Sequence, residues 1–490
     1  MDRITYLQFG VDKMDLARRA ALDYSRRRFM KALGGAGALG MVGGSGSWLA
    51  LAADATPQQL TAGLAQVQLV PPGHAATSVW AYNGTVPGPL LRYKQGEQLH
   101  RRLVNALPQP TTIHWHGLRL PNAMDGVPVM TQAPVAPGET FDYRFDLPDA
   151  GTYWYHPHYQ SEEQLGRGLS GALVIDEPDQ ALWGQASLID DDQVLVFDDW
   201  RLEADASISE TFGNRRDRAH AGRIGNWITV NGTGTWSQPV GHGQRLRLRL
   251  LNAANARIFT VSAQGMQGWV IALDGMPLQK IVPLKQIALA PGQRADVVVE
   301  ITAQSDEEAL LVSEERDGVF VLADFPVTQA APQRASANGR PPVPLPANPV
   351  AALDNLRSAR QVDLLMQGGA MGGMTREMMA AGQFWTFNGH IADHAGDYHH
   401  GEPLAEVSAG ETLKIRLINE TRWPHGMHLH GHHFQRVDQE EIGPLRDTIL
   451  MQPNEAMTIA FVADNPGDWM LHCHMLGHQA AGMMTWIRVV

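Results

Sequence analysis

The chain has 490 residues, of which 44% are hydrophobic and 18% are charged, and its formal net charge at neutral pH is −12. Such a chain can bury a core, so its composition excludes a disordered protein, and its negative charge argues against a nucleic-acid partner. A single cysteine excludes an intramolecular disulfide, whereas 20 histidines and 20 methionines point to metal chemistry.

The first 55 residues are predicted to be an export signal. Ser25 to Lys31 contains three consecutive arginines and resembles a twin-arginine signal. The weakly apolar stretch 32–53 is rich in glycine, which makes it a poor membrane helix, and small residues near its end offer cleavage sites. A basic, glycine-rich tail is the alternative. No other segment reaches the roughly 20 apolar residues that span a bilayer. We therefore expect a soluble periplasmic protein, exported by the twin-arginine machinery, without stable membrane insertion.

The rest of the chain repeats one pattern three times. Each copy has Asn-Gly, a variable gap and a glycine, followed by leucine at +3 and asparagine at +9; the copies begin at Asn83, Asn231 and Asn388. Identical internal spacing indicates duplicated domains. Alternating runs such as Arg245–Leu250 predict half-buried strands, and frequent turns predict antiparallel β-sandwiches. The predicted all-β domains span 56–180, 181–335 and 353–490, with a proline-rich linker at 336–352.

Histidines form four clusters in the first and third copies. These are His114 and His116; His156 and His158; His425, His428 and His430; and His472, His474 and His478. A His-x-His on a strand aims both imidazoles to one side, because alternate side chains face opposite ways. The second copy lacks such pairs and is expected to be a spacer. The other histidines are expected at the surface or beside the ligands: His74, His100, His220, His242, His390, His394, His399, His400, His432 and His433.

Cys473 lies between His472 and His474 and should point away from both. With His478, one further histidine and a distant Met483, it would form a trigonal site with a weak axial thioether, which is the pattern of electron-transfer copper. The eight remaining imidazoles can bind three copper ions behind the same strand. Zinc and simple packing are the alternatives, but zinc prefers closed tetrahedral sites and does not explain ten histidines shared between two domains.

These motifs resemble those of three-domain bacterial multicopper oxidases, of laccase-like or cuprous oxidase type, over about residues 56–490. The resemblance implies cupredoxin-like Greek-key β-sandwich domains and four copper ions: one type 1, one type 2 and two type 3. It implies the following ligands: type 1, His425, Cys473, His478 and Met483; type 2, His114 and His428; type 3, His116, His156 and His474 on one ion and His158, His430 and His472 on the other.

Two further positions bear on proton delivery. Asp125 matches an acidic residue that family members place near the three-copper site, so the resemblance implies that it orients water and helps to deliver protons. A turn-forming Asp-Gly is the alternative. Many relatives carry Glu directly after the type 1 histidine, where this chain has Gln479. An amide cannot relay a proton as a carboxylate does, which puts one proton path in doubt.

The implied reaction couples one-electron oxidation of a reductant to four-electron reduction of O2 to water. Four methionines, Met371, Met374, Met378 and Met379, lie in or beside a glycine-rich segment, and a short helix is predicted over Thr375–Ala381. Thioethers favour Cu(I), and the segment resembles the methionine-rich segments of bacterial cuprous oxidases. Packing is the alternative role of these methionines. A phenol or aromatic amine is the alternative donor, and a periplasmic copper-sequestering protein without turnover is the non-enzyme alternative.

Overall fold

The structure is a computed structural model. It describes residues 57–315, 318–328, 339–354, 356–390, 392, 401–437 and 441–490. The predicted export signal and the start of the predicted linker lie outside the described residues, as do three histidines that were expected at the surface or beside the ligands (His394, His399 and His400).

Eight strands build the first pair of sheets. They are β1 (Gln58–Val67), β2 (Thr77–Tyr82), β3 (Gly88–Lys94), β4 (Gln98–Asn105), β5 (His114–His116), β6 (Thr140–Asp146), β7 (Gly151–His156) and β8 (Gly171–Asp176). One sheet has the order β2-β1-β4-β6 and the other the order β3-β8-β7-β5.

Eleven strands build the second pair of sheets. They are β9 (Asp191–Trp200), β10 (Trp227–Val230), β11 (Trp236–Ser237), β12 (Arg245–Asn252), β13 (Phe259–Gln264), β14 (Met266–Leu273), β15 (Met276–Pro283), β16 (Ile287–Leu289), β17 (Arg294–Ile301), β18 (Leu310–Glu315) and β19 (Gly318–Asp324). The sheet orders are β10-β9-β12-β17-β14-β15 and β11-β19-β18-β13-β16.

Eleven strands build the third pair of sheets. They are β20 (Arg360–Gly368), β21 (Trp385–Phe387), β22 (Ala405–Val407), β23 (Thr412–Asn419), β24 (His425–Leu429), β25 (Phe434–Val437), β26 (Ile442–Arg446), β27 (Thr448–Met451), β28 (Ala456–Val462), β29 (Gly467–Cys473) and β30 (Met484–Val489). The sheet orders are β21-β20-β23-β28-β25-β26 and β22-β30-β29-β24-β27.

The described helices are short. They are α1 (Ser161–Gly166), α2 (Gln180–Ser187), α3 (Arg215–Ala219), α4 (Arg376–Ala381) and α5 (Leu476–Gln479), with a 3-10 turn at Asn122–Met124. The predicted short helix is confirmed as α4: the Thr375 side chain accepts a hydrogen bond from the Met378 amide, and Gly382 follows the helix with a φ of 71°. Among the described residues, no helix is long and apolar enough to cross a membrane.

The sequence repeat is a structural repeat. Asn83, Asn231 and Asn388 all have a φ near +50° in the turn. The side-chain oxygen of each accepts a backbone N–H from a neighbouring strand, at 2.7, 2.9 and 2.8 Å respectively. Each copy also begins with the same four-strand order, in which β1, β9 and β20 are equivalent. The all-β fold expected from the sequence is therefore confirmed, and the repeated turn is one reason for it, since asparagine tolerates the left-handed conformation. The sheets are mixed rather than purely antiparallel as expected, because β1, β9 and β20 each pair with one neighbour in parallel.

One strand prediction is wrong. The alternation of arginine and leucine in β12 predicted a strand buried on one face, but all of its residues are buried. Arg247 donates to Glu177 and Asp296, and Arg249 donates to Asp192, all at hydrogen-bonding distance. The polar face packs against other parts of the protein instead of water, and paired carboxylates neutralise its charges.

Candidate metal centres

Strand pairing brings the histidine clusters together. In the first sheet pair, β5 lies antiparallel to β7 with His114 opposite His156. In the third, β24 lies antiparallel to β29 with His428 opposite His472. The equivalent strands of the second pair, β13 and β18, carry no histidine. Among the described residues, the candidate metal groups accordingly draw their ligand atoms from the first and third sheet pairs.

Cys473, His425 and His478 form the first group, which we call the cysteine centre. The Cys473 Sγ lies 3.7 Å from Nδ1 of each histidine, and the two Nδ1 atoms are 3.0 Å apart. Nε2 of His478 donates to the His220 carbonyl at 2.7 Å, so the lone pair on Nδ1 of His478 faces Cys473. Met483 is fully buried, and its carbonyl accepts the Cys473 amide.

Burial sets the protonation of the cysteine centre without metal. It raises the pKa of Cys473 to about 12 and lowers the pKa of His478 to about 4. At neutral pH the thiol therefore keeps its proton while the imidazole is neutral. A metal that binds the thiolate must displace one proton from sulfur.

The eight histidines of the four sequence clusters other than His425 and His478 form a second group, which we call the histidine cluster. All are buried. Three sets of ligand atoms lie within 4.8 Å of one another: His114, His116 and His428; His116, His156 and His474; and His158, His430 and His472. The Nε2 atoms of His430 and His472 are 3.0 Å apart, and those of His474 and His156 are 3.4 Å apart. His156 belongs to the first sheet pair and His474 follows β29 of the third, so the cluster bridges these two sheet pairs.

The hydrogen bonds of the histidine cluster leave ligand atoms directed inward. Nδ1 of His114 donates to the Asp125 carbonyl at 2.8 Å, and Nδ1 of His428 donates to the Asp447 carbonyl at 3.0 Å. The Nε2 atoms of these two rings and the Nδ1 atom of His116 are buried without a hydrogen-bond partner. Since a buried unsatisfied nitrogen is costly, these orphaned atoms fit metal ligands, and imidazole is a ligand suited to copper.

Asp125 holds one histidine of the first sheet pair and one of the third. Its carboxylate accepts from Nδ1 of His430 at 2.8 Å and lies 3.2 Å from Nδ1 of His114. Burial would raise the pKa of Asp125, but the two imidazoles outweigh it and hold that pKa well below its usual value. Asp125 is also part of a tight Asp-Gly turn, as the alternative interpretation of the sequence expects, because Gly126 has a φ of +80° and a Cβ there would overlap the Ile113 carbonyl. The water-orienting role of Asp125 stays a prediction.

Gln479 lies in an apolar environment. It is buried, and its amide nitrogen is 3.9 Å from the Met470 sulfur. Met470 packs with Val127 and Met484 in a small buried cluster. Because no carboxylate is present at position 479, the expectation that this proton path is impaired stays a prediction.

Sequence reasoning missed Asp447, which lies between β26 and β27. Its Oδ1 is 3.2 Å from Nε2 of His116, and Arg294 of β17 binds both of its oxygens. Burial opposes the charge, but Arg294 together with His116 and His428 outweighs it and holds the pKa of Asp447 well below its usual range. Neither residue belongs to a motif, and 153 positions separate them. The distance along the chain hides the pair from any spacing argument.

A segment of the second sheet pair covers the cysteine centre. The carbonyls of Arg218 and Ala219 accept hydrogen bonds from the Trp385 indole and the Ala370 amide, each at 2.7 Å. The next carbonyl, of His220, accepts from His478. The His220 ring meets the Trp423 ring with centroids 5.3 Å apart. The outer edge of His478 is therefore covered by protein rather than open to water.

The methionine-rich segment is divided between surface and core. Met371 is 77% exposed and Met379 is 39% exposed, whereas Met378 is buried. Met374 is half-buried against the core. The hydrogen bond from Ala370 to Ala219 places the start of this segment beside the cover of the cysteine centre. Packing therefore accounts for part of the segment and leaves two thioethers accessible.

Two other histidines lie inside the protein. His432 and His433 were expected at the surface or beside the ligands, and both are buried. His432 Nδ1 donates to the carbonyl of His430, and His433 Nε2 lies 3.7 Å from Asp447. Both positions are beside the histidine cluster rather than at the surface.

Comparisons with known proteins agree with this geometry. Family models described as multicopper oxidase match residues 64–180, 191–319 and 370–490. A solved multi-copper oxidase from Pseudomonas thermotolerans is 35% identical, covers 89% of this chain and 100% of its own, and superposes with a TM-score of 0.76. Multicopper oxidase MmcO of Mycobacterium tuberculosis is 29% identical over 84% of this chain and 83% of its own length. A copper resistance protein A homolog of Pseudomonas syringae pv. tomato is 26% identical over 95% and 99%.

The family matches and the cupredoxin-like sheet pairs indicate a copper-binding oxidoreductase, and the histidine and cysteine groups are compatible with its copper sites. The chain belongs to the multicopper oxidase family.

Proposed function

We propose that the chain is an oxidase with four copper ions. The cysteine centre with Met483 holds the type 1 ion, and the histidine cluster holds the others: His114 and His428 the type 2 ion; His116, His156 and His474 one type 3 ion; and His158, His430 and His472 the second. The single observation that carries the proposal is the placement of Cys473 on β29 between two histidines of the cluster. When bound, copper supplies one-electron chemistry at the cysteine centre and reduction of O2 to water at the histidine cluster.

The residues of this chain connect the two centres. From the Cys473 sulfur, a covalent path runs through the backbone to His472 and His474. The net reaction takes four electrons from four donor molecules, adds four protons to O2 and releases two waters. Asp125 keeps two cluster imidazoles in fixed tautomers through its hydrogen bonds. It is also our candidate for delivering protons to the cluster.

Cu(I) is the donor that the surface favours. Met371 and Met379 expose thioethers beside the cover of the cysteine centre, and thioethers are soft ligands. The same cover keeps a bulky organic donor from touching His478 directly, because the His220 carbonyl occupies its outer nitrogen. A phenolic donor would have to act across the His220 and Trp423 rings. A protein that only sequesters copper would not need a covalent path between two centres.

The test compares wild type with Cys473→Ser. After copper loading, wild type should be intensely blue and consume O2 with Cu(I) as donor. The serine variant should lose both properties and keep copper in the histidine cluster, because those ligands come from other residues. Colourless wild-type protein, or copper-loaded wild type without O2 uptake, would contradict the oxidase and favour sequestration. A parallel assay with a phenol decides between the two donors.

We also propose export to the periplasm. Its support is the arginine run of residues 25–31, which precedes a weakly apolar stretch. Replacing Arg26 and Arg27 by Lys should retain the protein in the cytoplasm. Fractionation of cells checks this, and unchanged export of the variant would contradict the proposal.

A further inference from the structure

The histidine cluster is supported from the second sheet pair, although that pair supplies no candidate metal ligand among the described residues. Asp447 contacts two cluster rings from different sheet pairs. Its carboxylate is 3.2 Å from Nε2 of His116, and its carbonyl accepts Nδ1 of His428 at 3.0 Å. Both rings belong to one candidate metal group with His114. The orientation of two ligands therefore depends on Asp447 and on the neighbouring Thr448 hydroxyl, which lies 3.3 Å from Nε2 of His116 and 3.1 Å from Nδ1 of His428.

The aspartate in turn depends on Arg294 of β17. The guanidinium donates to both carboxylate oxygens, at 2.9 and 2.6 Å, and both side chains are fully buried. Its Nε donates to the Thr152 carbonyl of β7, and the Arg294 amide donates to Asp274 at 2.9 Å. This bidentate pair joins all three sheet pairs. A planar fork of this kind fixes a carboxylate in position as well as neutralising it.

The space around the pair is closed. A Cβ added at Gly117 would overlap the Arg294 guanidinium and the Asp447 carboxylate. A Cβ added at Gly292 would lie 2.9 Å from the His116 ring and 3.0 Å from the His474 ring. Backbone of the first sheet pair therefore closely approaches the Arg294–Asp447 pair, and backbone of the second closely approaches two rings of the histidine cluster.

The hydrogen bonds of His116 have a consequence for its ligand atom. Because Nε2 donates to Asp447, the lone pair lies on Nδ1, and that atom is buried without a partner. His428 is held in the opposite sense, with Nδ1 as donor and Nε2 unpartnered. The carboxylate and the backbone carbonyl of Asp447 thus favour different ligand atoms on two stacked rings whose centroids are 3.7 Å apart.

We propose that Asp447 and Arg294 are positioning residues of the histidine cluster when it holds three copper ions, so that the second sheet pair takes part in building that site. The Asp447 carboxylate selects Nδ1 of His116 as ligand atom, its backbone carbonyl selects Nε2 of His428, and Arg294 fixes the carboxylate in place through two hydrogen bonds. The inference rests on the proposed function, because it assumes that the histidine cluster binds copper. It replaces the expectation that the second domain is only a spacer.

The test uses Asp447→Asn, Arg294→Met and Arg294→Lys. The matched control is Arg257→Lys, because Arg257 is another buried arginine of the second domain that pairs with Asp199 and Glu315 and touches no cluster histidine. Copper per chain, the blue absorption of the cysteine centre and the thermal unfolding of copper-free protein are measured for each. The last measurement reports folding independently of copper.

Asp447→Asn and Arg294→Met should stay blue but bind copper in the histidine cluster about 10–100-fold more weakly, as expected when a group that orients metal ligands is removed. Arg294→Lys keeps the charge and loses the fork, so it should fall between wild type and Arg294→Met. The control should load fully. If Asp447→Asn or Arg294→Met fails to fold, the comparison of Arg294→Lys with Arg257→Lys decides.

If the folded variants bind copper in the histidine cluster as tightly as wild type does, the inference is wrong and the oxidase proposal remains intact. An equal loss in Arg257→Lys would also overturn it, because the effect would then be general destabilisation. A wild-type protein that loads only the cysteine centre would overturn both proposals, which distinguishes the two failures.

Discussion

Removing Arg247 should destabilise the protein far more than removing a surface arginine. Arg247 of β12 is 1% exposed and makes four hydrogen bonds, two with Glu177 at 3.1 and 2.8 Å and two with Asp296 at 3.2 and 2.7 Å. In Arg247→Met the apolar chain fills much of the space, but Glu177 loses its partner inside the protein. Arg249 still reaches Asp296 at 3.2 Å, so one of the two carboxylates keeps a cation.

Breaking a buried pair by removing one partner costs about 3–5 kcal/mol. For a domain of roughly 150–250 residues, each kcal/mol lowers the unfolding midpoint by about 2–4 °C, so we expect a decrease of about 6–20 °C. The matched control is Arg102→Met, because Arg102 and Asp142 form a pair whose side chains are 39% and 42% exposed. Such surface pairs contribute about 0–1 kcal/mol.

The pH dependence supplies a second check. Burial would raise the pKa of Glu177, but Arg247 outweighs it and lowers that pKa below its usual value. In wild type this pair stabilises the fold above the ordinary pKa of glutamate and is lost as the pH falls through the lowered value. In Arg247→Met the largest contributions that lower the pKa of Glu177 are gone and only Arg249 and a backbone hydrogen bond still oppose burial. Glu177 therefore takes up a proton more easily, and the difference between variant and wild type should shrink toward acid pH.

The assay is thermal unfolding of the copper-free protein, followed by circular dichroism at several pH values. Equal decreases for Arg247→Met and Arg102→Met would refute the reasoning, because the burial of the pair would then have no energetic consequence. A difference that grows toward acid pH would refute the assignment of Glu177 as the carboxylate left unpaired.

Three further predictions concern the metal centres. Met483→Leu should keep the type 1 copper and raise its reduction potential, since the axial thioether tunes it; redox titration checks this. Replacing the exposed Met371 and Met379 by Ser should raise KM for Cu(I) and leave phenol oxidation unchanged, whereas Met378→Ser should lower thermal stability because Met378 is buried; equal loss on both donors would contradict a Cu(I) site. Copper affinity of the cysteine centre should rise about tenfold per pH unit between pH 6 and 9, because the Cys473 thiol, with a pKa of about 12, releases one proton; metal titration at fixed pH measures it.

The sequence alone contained the repeat and the candidate ligands. The spacing of the repeated Asn-Gly turns is local, and the structure confirms their equivalence through the conformations of Asn83, Asn231 and Asn388. The alternation of histidines along β5, and of His472 and His474 at the end of β29, is local as well, because a strand places every second side chain on one face. Which copper each histidine holds came from the family resemblance, and it stays a proposal.

Only the tertiary structure decided what surrounds those ligands. The alternating pattern of β12 gave no sign that its arginines are buried, because periodicity separates the two faces of a strand but does not tell which face meets water. The pairing of Arg294 with Asp447, and the His220 carbonyl on His478, join residues 153 and 258 positions apart. Such contacts depend on how the three sheet pairs pack against one another, and the order of residues along the chain does not encode that packing in any local pattern.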